Sequence, residues 1–147
     1  MLRSSGDSRS VSKHAVEPMQ TTRPSRAAIS LLAVAGLYGA LGVATAAAAA
    51  HMSGDTRLGT ASTFLMLHAA ALVGLAGAAR AFGIGLPILL PAWGIALGTL
   101  LFCGDLIVRV AYGGSPLPVA APTGGTILIV SWLGVSIGAV VGVLRRR

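Results

Sequence analysis

Residues 27–50 read AAISLLAVAGLYGALGVATAAAAA, 24 residues without a charge. At about 1.5 Å per residue, a helix of that length reaches about 36 Å, enough to cross a hydrocarbon core of about 30 Å. Three more apolar runs follow. Residues 58–79 end at Arg80. Residues 87–110 carry Asp105 and Arg109 in their last turns. Residues 126–144 end at Arg145, Arg146 and Arg147. Only helices and closed barrels satisfy the backbone in lipid, and runs this long and continuous do not alternate as barrel strands do. The sequence predicts an all-α integral membrane bundle of four transmembrane helices. The bilayer itself is the first partner.

The rest of the composition agrees. Of 147 residues, 54% are hydrophobic and 10% are charged, with 20 glycines. A soluble domain carries about 25% charged residues. Residues 1–26 differ: they are polar, rich in Ser, Thr and Arg, and without helical periodicity, so they read as a disordered basic cytoplasmic tail. Residues 27–147 form the transmembrane domain, with Ser25 as a candidate N-cap. Pro116, Pro118 and Pro122 make the stretch from 112 to 125 read as a loop.

The net charge of +7 could signal nucleic acid, but the bases sit at the edges of apolar runs. With the N-terminus inside, the inner side holds five bases in the tail, Arg80 and three terminal arginines, nine in all. The outer side holds Arg57 and Arg109. That asymmetry predicts both termini in the cytoplasm and no nucleic-acid partner. A cleaved signal peptide is the competing reading of the first run. The polar region before it is too long, and the run exceeds the usual 7–15 residues.

Small residues recur at four-residue steps in every span. Gly134, Gly138 and Gly142 lie in the fourth and Gly94 and Gly98 in the third. The second has Ala70, Gly74 and Ala78, and the first has Gly36, Ala40, Ala44 and Ala48. Inside lipid such strips let helices approach closely. They serve either packing within one bundle or contact with a second copy or a larger membrane protein. Trp93, Trp132 and Tyr112 fit interfacial anchors, and Pro91 predicts a local bend.

Ionisable groups inside a span are costly and mark candidate sites. Here they are His51, His68, Asp105 and Arg109. Asp105 and Arg109 are spaced i, i+4 with the acid first, the favourable order for a pair on one helix face. In the four-span topology all four groups fall in the outer half, where a shared polar pocket is one reading. Separate structural roles are the other. Cys103 is the only cysteine, which excludes an internal disulfide, and no spacing motif supports a metal. No phosphate-binding loop, GxSxG or HExxH is present. No cofactor and no enzymatic activity are predicted.

Several segments together resemble a known family. Residues 37–51 (LYGALGVATAAAAAH) resemble a small-residue first helix ending in Ala-His. Leu67-His68-Ala69 is similar to an aromatic-His-Ala step in a second helix. Residues 101–105 (LFCGD) look like a Leu-Phe-Ser-Gly-Ser element. Residues 121–125 (APTGG) with Ser131-Trp132 resemble a Thr-Pro-x-Gly-Gly and Gly-Trp signature. These belong to the YgdD-like group of small membrane proteins, a domain of unknown function, and the resemblance covers residues 30 to 140. It implies four helices in the plasma membrane and no established reaction. Cys103 and Asp105 stand where that pattern has serines, and Leu67 replaces an aromatic. Roles of those serines do not carry over.

The functional expectation is a non-enzymatic structural or accessory membrane subunit. The alternative is a small-molecule or proton carrier acting as an oligomer, with His68, Asp105 and His51 lining the path.

Overall fold

A computed structural model describes residues 26–52, 55–114 and 117–145. Four helices account for nearly all of them: α1 (Arg26–His51), α2 (Arg57–Ala81), α3 (Gly85–Tyr112) and α4 (Ala120–Leu144). Each is long and apolar enough to cross a membrane. The described residues form no strand. The expected basic tail, the Ser25 cap and the last two arginines lie outside the described residues.

The turns follow from local chemistry. Between α1 and α2, the Asp55 carboxylate accepts the backbone N–H of Arg57 at 2.9 Å. After α2, the N–H of Phe82 bonds the carbonyl of Ala78 at 2.9 Å, and Gly83 then takes φ +61 to release the chain into α3. Gly113 caps α3 at φ +71, a left-handed conformation that glycine adopts without Cβ strain.

One expectation from the sequence is corrected here. Helix α4 begins at Ala120, not at 126. Pro122 falls in its first turn, where a backbone N–H has no helical partner to lose. Helix α3 continues through Pro91, over 28 residues.

Successive helices are antiparallel neighbours, so the start of α1 and the end of α4 lie at the same end of the bundle. Helices α1, α2 and α3 pack around one core whose most enclosed side chains are Leu31, Leu72, Ile95, Thr99 and Cys103. Helix α4 lies against α3 on the far side, and among the described residues its backbone does not approach α1 or α2. Buried hydrogen bonds tie the first three together. Tyr38 Oη donates to the carbonyl of Ala96 at 2.6 Å, and Ser62 Oγ to that of Gly42 at 2.8 Å. In lipid, where apolar burial drives little, such bonds and close packing hold the helices.

The glycines show where that packing is closest. A side chain at Gly142 would strike Ile84, and one at Gly134 would strike Pro91. One at Gly138 would strike the backbone of Pro87. Gly98 and Gly124 face each other, with room for neither to carry a Cβ. Gly94 lies under Ser131. The α3 and α4 strips are therefore used between these two helices and do not present an outer face to a partner. By contrast, Gly36 and Gly74 have open space around them.

Candidate functional site

His51 is the last residue of α1 and is exposed. His68 lies in the middle of α2 and is 4% exposed. Its Nδ1 is 2.8 Å from the carbonyl of Phe64, one turn earlier. A carbonyl only accepts, so Nδ1 carries the proton and Nε2 is left as an acceptor. The indole N–H of Trp132, on α4, points at that Nε2 from 3.5 Å. Phe64 stacks on the imidazole at 5.5 Å between centroids and touches Phe102 of α3 at 4.8 Å. His68 thus sits in an aromatic cluster joining α2, α3 and α4.

Trp132 is the thirteenth residue of α4 and meets a histidine in the interior of the span. The anchoring role expected for it at the membrane surface is corrected accordingly. Tyr112, at the end of α3 and 84% exposed, does occupy a helix terminus.

Asp105 and Arg109 lie in the last two turns of α3. The Asp105 side chain is completely enclosed, and its Oδ2 accepts Arg109 Nε–H at 2.6 Å. A second guanidinium nitrogen, Nη2, donates to the carbonyl of Pro118 at 3.3 Å. The arginine thereby neutralises a buried carboxylate and fastens the segment before α4 to the end of α3. Charge-assisted bonds of this kind are the strong ones in a protein.

The structure unites Asp105 with Arg109 and sets His68 apart. Cys103 Sγ contacts the carbonyl of Ala61 at 3.6 Å, which sets the level of α3 against α2. Asp105 is then level with about residue 59, and His68 lies roughly nine residues, or about 13 Å, further along. Among the described residues, no three His, Cys, Asp or Glu side chains are grouped to hold a metal.

In the sequence, Ser131 enters only through the family resemblance, with no role of its own. Of the buried hydroxyl side chains, Thr45 bonds the carbonyl of Leu41 at 2.6 Å and Thr99 that of Ile95 at 2.8 Å. Ser62 bonds across to α1. Ser131, 7% exposed, packs its Oγ over Gly94, where a Cβ would overlap it, and among the described residues no buried side-chain nitrogen or oxygen is left without a partner. The signal in the sequence was a lone hydroxyl between Val130 and Trp132 in the most apolar run.

A family model described as "Protein of unknown function (DUF423)" matches residues 35–125, more than half of the chain. The chain belongs to this family. No curated protein and no solved structure matches it.

Proposed function

We propose that this multi-pass membrane protein, a member of a family without an assigned function, is a non-enzymatic structural or accessory subunit of the plasma membrane. One observation carries the reading. The ionisable groups inside the spans are absorbed in structural bonds: His68 between Phe64 and Trp132, Asp105 with Arg109, and Arg109 with Pro118. A carrier needs groups that can let go of such partners and meet a cargo.

The partner-facing surface in this reading is α1. Gly36, Ala40, Ala44 and Ala48 are all exposed, on a helix buried on one side only. Small residues at this spacing allow a second helix to approach closely. Both termini are cytoplasmic in the same reading, since Arg26, Arg80 and Arg145 share one end of the molecule.

The test separates the two roles. Gly36→Leu and Ala40→Leu are expected to abolish co-purification with a partner, or self-association, while the fold survives. His68→Ala and Asp105→Asn are expected to leave that association in place. A solute or proton flux in sealed vesicles that disappears in His68→Ala, with the fold intact, would replace this reading with the carrier. Reporter tags at both ends test the topology.

A further inference from the structure

The arginines at the two ends of the bundle differ in one respect. At the end that holds the α1–α2 turn, each has an acid of its own. Arg57 pairs with Asp55, and Arg109 with Asp105. At the opposite end lie Arg26 at the start of α1, Arg80 at the end of α2 and Arg145 just after α4. All three are exposed, and among the described residues no carboxylate pairs with any of them. The acids among the described residues, Asp55 and Asp105, are already engaged at the first end.

Depth decides what can supply the missing counter-ions. Helices α2 and α4, of 25 residues each, are about 37 Å long at about 1.5 Å per residue. The hydrocarbon core is about 30 Å thick, so such helices overreach it by about 4 Å at each edge. Arg80 and Arg145 then stand in the headgroup layer, within reach of lipid phosphates. Their neighbours are apolar. Phe82 and Leu86 around the α2–α3 turn, and Leu144 before Arg145, are all exposed. This end therefore offers cations to a headgroup and carbon surface to its chains, which suits a lipid better than a free anion.

The charge balance selects among lipids. A guanidinium binds phosphate oxygens through a planar fork of donors. A zwitterionic headgroup brings a cation of its own beside the phosphate, whereas a net anionic headgroup does not. We propose that this end of the bundle binds phospholipids of net negative charge, whose phosphate oxygens serve as the counter-ions of Arg26, Arg80 and Arg145. The proposal concerns a lipid and not the protein partner assigned to α1, and it holds for either orientation of the chain in the membrane. A basic residue beside an anionic lipid surface contributes about fivefold in affinity.

The test uses the full chain in phosphatidylcholine bilayers with the same lipid in both leaflets, so that orientation does not enter. A trace of chain-spin-labelled phosphatidylglycerol or phosphatidylcholine is added, and electron spin resonance gives the fraction of each label held by the protein. The ratio of the two association constants is the readout. Phosphatidylglycerol is expected to be favoured several-fold, and less so in about 1 M sodium chloride, where the screening length is about 3 Å. Arg26→Gln, Arg80→Gln and Arg145→Gln together are expected to at least halve that preference. Asp55→Asn with Arg57→Gln, which removes a neutral pair at the other end, is expected to leave it unchanged. Inorganic phosphate is expected to lower it no more than sodium chloride of equal ionic strength. The proposal is overturned by equal association of the two labels, by a preference that the triple variant keeps in full, by an equal loss in the variant of Asp55 and Arg57, or by specific displacement with inorganic phosphate. Resistance of Cys103 to thiol reagents verifies that each variant is folded.

Discussion

The carbonyl oxygen of Pro87 rests over the Cα of Gly138, close enough that any Cβ there would overlap it. The same carbonyl is the one that Pro91, lacking an N–H, cannot bond within α3. A proline in one helix thus frees an acceptor where a glycine in the next can approach it, and Cα–H···O contacts recur at such crossings.

Gly138→Ala should lower stability by about 1–3 kcal/mol, because the clash is with backbone and cannot be relieved by a rotamer change. Gly36→Ala, in open space on α1, should cost nothing. Reversible unfolding in mixed micelles, titrated with sodium dodecyl sulfate, checks both. Equal effects at the two positions would contradict the packing of α4 on α3.

Arg109→Gln should be the most damaging surface-directed change. It takes the counter-ion from a fully enclosed carboxylate, a loss that typically costs about 3–5 kcal/mol. Asp105→Asn in the same chain should recover most of that loss, since no buried charge is then left. A double-mutant cycle measures the coupling, and additive losses would show the pair to be independent.

His68→Ala should cost about 1–3 kcal/mol by leaving the Trp132 indole N–H without its acceptor and opening a gap beside Phe64. The emission of Trp132 should shift in the same variant, read in the Trp93→Phe background. An unchanged spectrum would mean that the two rings do not meet.

Cys103 is 1% exposed, with its thiol against Ala61. It should resist maleimide in nanodiscs and react once the chain is unfolded. The single thiol then serves as an internal clock for unfolding. Rapid labelling of the folded protein would place α3 in a different rotation.

The four spans were legible because length and hydropathy alone decide what crosses a bilayer. Runs at 27–50, 58–79 and 87–110 differ from α1, α2 and α3 by only a few residues at each end. The start of α4 was not legible. Pro122, Gly124 and Gly125 carry the composition of a loop, yet Gly124 is where α4 meets the Phe102 backbone. The i, i+4 spacing of Asp105 and Arg109 was local, and so readable. The meeting of His68 with Trp132, 64 residues away, depends on how two helices are rotated, which no local pattern encodes. The seat of Ser131 over Gly94 was not legible for the same reason, since it depends on how α4 is rotated against α3.

The packing of the α4 backbone on α3, with the Trp132 side chain reaching His68 of α2, bears on how the protein is made. Translation proceeds from the N-terminus, and segments already synthesised settle while later ones emerge. The triangle of α1, α2 and α3 has its contacts in hand before α4 leaves the ribosome. The last span then docks onto a finished platform, and truncation after Gly114 should leave a compact three-helix remnant in the membrane.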